Sequence, residues 1–180
     1  VAEVTVRTEV ENLQPIARQV SVDLNLEGKK VTQEVNLAPK ERKTVVFTPD
    51  VHKTLELKSP RLWWPNNYGR QELYTMDVVV AEKGVSSDSK KVRFGVRELS
   101  YELEVCFPDD SIRRVEYRPT VMGQGEPIFD NINRKYIEGG MCMPRLKKNV
   151  SSDILVPAPD KAMQHYMVIK VNGKRIFCKG

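Results

Sequence analysis

From Val1 to Arg97 apolar and polar residues alternate with period two. Successive side chains of an extended chain point to opposite faces, so this pattern describes strands with one buried face and leaves no stripe for an amphipathic helix. Ala2, Val4, Val6 and Val10 alternate with Glu3, Thr5, Arg7, Glu9 and Glu11, and Val20, Val22, Leu24 and Leu26 with Ser21, Asp23, Asn25 and Glu27. Gly28-Lys29-Lys30 reads as a hairpin turn into Val31 to Leu37. Lys43 to Thr48, Lys53 to Lys58, Glu72 to Ala81 and, after a loop from Glu82 to Asp88, Lys90 to Arg97 complete a set of seven short strands. Such a set, spaced at about 8 to 14 residues, predicts an all-β, immunoglobulin-like antiparallel β-sandwich over 1–98. The Cys-Trp-Cys trio of antibody domains is lacking.

One stretch interrupts the alternation. Pro60 to Tyr74 gathers both tryptophans, two of the six tyrosines, two prolines and a glycine. Proline lacks an N–H and is excluded from a central ladder, while Asn66-Asn67-Tyr68-Gly69 carries the residues that tight turns need. Trp63 and Trp64 therefore belong in or beside a turn between strands.

Past Arg97 the regularity weakens. Tyr101 to Phe107 and Ile112 to Tyr117 alternate and are joined by Pro108-Asp109-Asp110-Ser111, a hairpin pattern. Arg118 to Lys161 is rich in proline and glycine without a sustained period, and a loop of that length is uncommon without a functional reason. Met141, Cys142, Met143, Ile154, Leu155 and Val156 give it enough apolar content to fold over a neighbouring surface. Tyr166 to Val171 and Lys174 to Cys178 flank Asn172-Gly173, the strongest short-range hairpin signal. The region 99–180 thus reads as a loop-rich extension ending in a β-hairpin.

Charge and cysteine usage narrow the function classes. The net charge of +5 points to nucleic acid or a membrane only where the basic residues cluster, and Lys29-Lys30, Lys90-Lys91, Arg113-Arg114, Arg134-Lys135 and Lys147-Lys148 are scattered among acids. No apolar run approaches the roughly 20 residues of a membrane-spanning helix. Cys106, Cys142 and Cys178, with only His52 and His165 to assist, form neither a zinc spacing nor a disulfide framework, so no metal or other cofactor is expected. Asp109-Asp110 reads as a solvated turn rather than a catalytic pair. Asp130-Asn131-Ile132-Asn133 misses the alternate ligand spacing of a calcium loop. Gly123-Gln124-Gly125 is half of a dinucleotide fingerprint, for which loop geometry is the default. Asn149-Val150-Ser151 satisfies the glycosylation sequon, which matters only in a eukaryotic secretory pathway. Nothing marks a catalytic residue. Trp63, Trp64 and Tyr68 are the candidate binding residues: exposed, they would stack on sugar rings; buried, they would plug the sandwich or dock on an adjacent domain, covering on the order of 150 to 250 Å² each. The flanking prolines favour packing.

Three patterns occur in fixed order: Leu62-Trp63-Trp64-Pro65 with Tyr68-Gly69 and Leu73-Tyr74; Arg93-Phe94-Gly95-Val96-Arg97-Glu98; and Val171-Asn172-Gly173-Lys174-Arg175-Ile176-Phe177 with Lys179-Gly180. Together they resemble the glycoside hydrolase family 2 enzymes, most closely the β-mannosidase and exo-β-glucosaminidase branch. The resemblance covers Val1 to Glu98 and Tyr166 to Gly180. It implies a non-catalytic sandwich that supports a TIM-barrel domain, with sugar-binding domains in the same parent chain, a carbohydrate substrate, and a periplasmic or secreted setting. It also implies that the Asn-Gly-Lys hairpin leads into the barrel. Two departures stand out. Leu99 to His165 replaces a short connection, and the barrel with its two catalytic glutamates is absent, so the chain alone is expected to be inactive. Met122 to Pro159 is expected to lie against that missing domain. The alternatives are a free-standing carbohydrate-binding module using Trp63, Trp64 and Tyr68, and an adhesion domain of the immunoglobulin class, which leaves the hairpin motif without a reason.

Overall fold

The alternating residues of the first hundred positions have to bury one face each, and two sheets packed face to face achieve this. The computed structural model describes residues 1–122, 127–136, 142–147, 152–157 and 167–177. The chain divides into two units, Val1–Val96 and Arg97–Gly180.

In the first unit the strands are β1 (Ala2–Glu3), β2 (Val6–Glu11), β3 (Arg18–Leu26), β4 (Lys29–Leu37), β5 (Arg42–Phe47), β6 (Glu56–Leu57), β7 (Tyr74–Glu82) and β8 (Val85–Phe94). One sheet has the order β4-β3-β7-β8; β2 pairs with β5, and β1 with β6, all antiparallel. Between them lies a single core. Val20, Val22, Leu24, Leu26, Val31, Val35 and Leu37 from β3 and β4 meet Val6, Val10, Val45 and Phe47 from the pair opposite. Phe47, Leu24 and Val22 are wholly buried, and each such side chain contributes about 1.5 to 3 kcal/mol.

The register sorts this unit into two ends. Leu26 lies opposite Met76 and Lys29, Tyr74 opposite Phe94, and Val6 opposite Phe47. At the other end Arg18 lies opposite Leu37, Glu11 opposite Arg42, and Ser21 opposite Ala81.

The boundaries differ from the alternation at three places. Lys53 to Lys58 is a 3₁₀ turn at Lys53–Leu55 followed by the two-residue β6, and Leu55 is wholly buried there. The expected loop Glu82 to Asp88 is a tight turn at Lys83-Gly84, with φ of 50° and 80°, and β8 starts at Val85. The residues from Val85 to Asp88 are exposed on both faces, so this half of β8 has no alternation to reveal it, whereas the half from Lys90 is the seventh strand expected from the sequence. The β3–β4 turn is Glu27-Gly28, φ 47° and 90°, one residue earlier than the glycine-lysine pattern suggests.

The second unit is built around β9 (Leu99–Cys106). Along one edge it pairs antiparallel with β10 (Ile112–Tyr117). Its other edge takes β13 (Val168–Val171) at Leu99 to Glu102, and β12 (Cys142–Leu146) in parallel at Cys106. β11 (Phe129–Tyr136) flanks β12, and β14 (Lys174–Ile176) closes a hairpin on β13. A single helical turn, α1, spans Pro119–Met122. Val105, Val115, Leu146 and Ile154 form a small core with Leu103, Phe107, Met122, Ile128 and Phe129 around it.

The structure therefore adds β11 and β12 to the extension. Ile132 and Tyr136 of β11 stand 92% and 75% exposed, which removes the period that would have marked a strand. Asn172 shows why the hairpin takes asparagine there. It adopts φ 51° beside Gly173 at 77°, as the two-residue turn requires. Its Oδ1 also accepts the Glu98 N–H at 2.9 Å, while its own N–H donates to the Glu98 carbonyl at 2.9 Å. Gly123-Gln124-Gly125, the Asn149-Val150-Ser151 sequon, Met141, His165, Tyr166, Cys178 and Lys179-Gly180 lie outside the described residues.

Candidate functional site

The aromatic turn is tied to the last strand of the first unit. Leu62 bridges Val96, and the Trp63 N–H donates to the Val96 carbonyl at 2.8 Å. Trp63 also bridges Gln71, and the Trp64 N–H reaches Arg70 O at 3.0 Å, so the stretch folds back on itself as a small hairpin. Its tip is a turn closed by Tyr68 N–H to Pro65 O at 3.1 Å. Asn67 takes φ 68°, a conformation asparagine tolerates in the third turn position. Gln71 Nε2 donates to Asn66 Oδ1 at 2.8 Å and fixes the tip from the side.

Each tryptophan rests on a glycine. A methyl group added to Gly95 would lie 2.8 Å from Trp63 Cβ and 2.9 Å from Cγ; one added to Gly69 would lie 2.7 Å from Trp64 Cγ and 2.8 Å from Cδ1. Neither approach leaves room for a side chain on the glycine, so Trp63 with Gly95 and Trp64 with Gly69 are complementary pairs. The remaining motif residues join the same assembly. Arg61 N–H donates to the Tyr74 hydroxyl at 2.7 Å, and the Arg61 guanidinium sits 4.6 Å from the Tyr74 ring centre, a cation–π contact. It also pairs with Glu27 at 2.6 Å, and Tyr74 stacks on Phe94 with centroids 5.7 Å apart. Two motifs separated by twenty residues in the sequence are one object in space.

Trp63, Trp64 and Tyr68 are all half-buried. The structure brings them into one turn, but it seats the two indoles on different glycines. The seating of Trp63 on Gly95, and the Glu27–Arg61–Tyr74 chain, escape sequence reasoning because a glycine far along the chain carries no sign of what rests on it.

The other candidates are occupied elsewhere. Asp109 accepts from the Ser111 N–H and hydroxyl and pairs with Arg113, whereas Asp110 pairs with Arg145 at 2.6 Å. These hydrogen bonds hold both carboxyls below the usual range, through Ser111 for Asp109 and through Arg145 for Asp110. Asp130 accepts from the Ile132 and Asn133 N–H groups and the Asn133 side chain. His52 packs its ring against Phe47, centroids 5.6 Å apart. Cys106 and Cys142 are free thiols. Among the described residues no group of three His, Cys, Asp or Glu could hold a metal ion.

One charged cluster was not foreseen. Ser100, Glu102, Arg114, Glu116, Lys170 and Arg175 share a face of the second sheet by register, and Ser100, Glu102 and Arg114 are buried. Glu102 meets Arg175 at 3.0 Å, Arg114 at 3.5 Å and Lys170 at 3.5 Å; Glu116 meets Lys170 at 3.1 Å and accepts from Ser100 at 2.8 Å. Burial pushes both carboxyls up, but Arg175 and Lys170 outweigh it for Glu102, and Ser100 and Lys170 for Glu116, so both end below the ordinary glutamate value. The stability they confer is therefore fully present above their unfolded value of about 4.3, and is lost as pH falls through the lower folded value. Urea midpoints read by far-UV circular dichroism should hold from pH 7 to about 5 and drop towards pH 3. A Glu102→Gln/Glu116→Gln variant should show a shallower drop; an unchanged slope would remove these carboxyls from the account.

The sequence model described as Glycosyl hydrolases family 2 matches residues 1–97, and the chain belongs to that family. Exo-β-D-glucosaminidases are among its relatives. The enzyme of Amycolatopsis orientalis is 38% identical over 102 residues, covering 57% of this chain and 9% of the relative. The enzyme of Hypocrea jecorina is 36% identical over 104 residues, covering 55% and 11%. A mannosylglycoprotein endo-β-mannosidase of Lilium longiflorum is 30% identical over 90 residues, covering 49% and 9%. A solved structure of the exo-β-D-glucosaminidase CsxA superposes with a TM-score of 0.51 at 34% identity, covering 71% of this chain and 13% of that one. The chain thus spans about a tenth of the length of the relatives it matches.

Proposed function

We propose that this chain is a non-catalytic β-sandwich module of a family 2 glycoside hydrolase, which holds a catalytic TIM barrel in place and contributes to the rim of its sugar site. The observation that carries this reading is the union of the aromatic turn with Gly95 and Val96: the segment on which the first unit ends is braced by Leu62 and Trp63, as a support for a following domain requires. In this reading the unit 97–180 ends in the hairpin that leads into the barrel, the stretch Met122 to Pro159 lies against it, and the parent enzyme acts on β-glucosaminides or β-mannosides, as its relatives' names indicate. Retaining hydrolysis needs two carboxylates about 5 Å apart facing a sugar site. Asp109 and Asp110 do not supply that pair, since each is committed to its own arginine.

Assaying the isolated chain against nitrophenyl β-glucosaminide, β-mannoside and β-galactoside should give no turnover, and hydrolysis of any of them would overturn the accessory role. The half-exposure of Trp63, Trp64 and Tyr68 favours a second reading, a free-standing carbohydrate-binding module. Titrating tryptophan emission with gluco- and manno-oligosaccharides separates the two. Indoles committed to packing should give no saturable change, whereas a saturable shift would assign the turn to sugar binding.

A further inference from the structure

We propose that the β13–β14 hairpin is an acid-released element: Lys170 and Arg175 hold it to β9 and β10 through Glu102 and Glu116, and it parts from the rest of the second unit when those carboxyls take up protons. Apolar packing does little to hold the hairpin. The apolar cluster of the second unit, gathered around Val105, Val115, Leu146 and Ile154, includes no described residue of β13 or β14. Val168, Ile169 and Ile176 are only half-buried, and Val171, though buried, lies outside that cluster. The main chain adds four paired positions along Leu99 to Glu102, and Asn172 adds two hydrogen bonds to Glu98. An element with few buried apolar contacts is among the first to open in a folded protein.

The ionic tie is concentrated at one place. Glu102 and Glu116 lie opposite each other on β9 and β10. Lys170 bridges them, 3.5 Å from one and 3.1 Å from the other, while Arg175 meets Glu102 at 3.0 Å. The groups that face this pair from the other elements are Arg114 on β10, 3.5 Å from Glu102; Glu104, opposite Arg114 in register; and Arg118, which attracts Glu116 more weakly. With both carboxyls ionised, departure of the hairpin takes two of the three cations from Glu102 and takes Lys170 from Glu116, and two opposed carboxylates are left short of counter-charge. Protonation reverses the balance. Arg114, Lys170 and Arg175 are then three like charges gathered in a poorly hydrated place, where repulsion is strong. Arg114 is enclosed, its side chain 2% exposed, whereas Lys170 and Arg175 gain water by leaving with the hairpin. Burial raises both carboxyls, but Arg175 and Lys170 at Glu102, and Ser100 and Lys170 at Glu116, bring them below the ordinary value. The tie is therefore complete above the unfolded value of about 4.3 and is lost as pH falls through the lower folded value.

Hydrogen–deuterium exchange of the whole 180-residue chain, corrected for the intrinsic pH dependence of exchange, compares peptides from the β13–β14 hairpin with peptides from β10. The ratio of hairpin protection to β10 protection should fall about tenfold or more between pH 7 and about pH 3. A ratio that stays constant, because both elements hold or both open together, would overturn the proposal. In a Lys170→Met/Arg175→Met variant the same acidification should no longer lower the ratio, since the charges that acid expels are gone. A fall as large as that of the unaltered chain would rule the proposal out equally, because the hairpin would then be opening in acid for a reason unconnected with these ion pairs.

Discussion

Replacing Glu102 with glutamine is expected to cost the second unit about 3 to 5 kcal/mol. Glu102 is the shared counter-charge of Arg114, Lys170 and Arg175. Side-chain exposure is only 2% at Arg114 and 15% at Lys170, so neither can turn to water when the carboxylate goes. Arg114 is already short of partners, with Nε and Nη1 making no hydrogen bond. Far-UV circular dichroism in urea at pH 7 would read the loss as a fall of roughly 1 to 3 M in midpoint. A change under about 1 kcal/mol would mean that the ionised carboxylate is dispensable. Glu102→Leu combined with Arg114→Met should recover much of the loss, because removing both buried charges is far cheaper than stranding one. Lys170 would keep Glu116 as its partner in that variant.

Gly95→Ala should destabilise the first unit by about 1 to 3 kcal/mol, the usual range for overpacking. The added methyl would meet Trp63 at Cβ and Cγ, the base of the indole side chain rather than its far end, so the whole ring has to leave its seat. Gly95 has no positive φ, and alanine is not strained there for its own sake; elsewhere the same exchange tends to stabilise by about 0.4 to 1 kcal/mol. The cycle with Trp63→Ala therefore discriminates. In the Trp63→Ala background the glycine-to-alanine cost should vanish or reverse, giving a coupling energy above about 1 kcal/mol. Thermal melts of the four variants, followed by circular dichroism, provide the numbers. Additive effects would show that the indole and the glycine are not in contact.

The sandwich was readable wherever one face of a strand is buried and the other wet, as in β3, whose Val20, Val22, Leu24 and Leu26 alternate with polar residues. It was unreadable where both faces share one environment. β11 and the Val85 to Asp88 half of β8 are largely exposed on both sides, and both lie in stretches that read as loop. β9 is the opposite case: Ser100 and Glu102 alternate with Tyr101 and Leu103 as an ordinary strand would, yet the polar pair is buried. Sequence period marks that face as polar and cannot tell that it is dry. The aromatic turn was located from its prolines, asparagines and glycine, because those residue types dictate local backbone geometry. Its counterparts were not, because Gly95 and Glu27 act at a distance and their roles depend on a register that no local rule supplies.

The two ends of the first unit serve the chain unequally. Ala2 pairs with Leu57, and Leu62 with Val96, so the incoming and outgoing segments are stapled to the same short piece of backbone. The separation of the unit's own first and last segments is set there, by a clamp of a few residues, and not by the body of the sandwich. Lengthening the Lys83-Gly84 turn at the opposite end, where doubling a loop costs only about 0.6 kcal/mol in closure entropy, leaves that clamp alone. That unit is in effect bolted at one edge and free to change its outline at the other while its first and last segments keep their pairing.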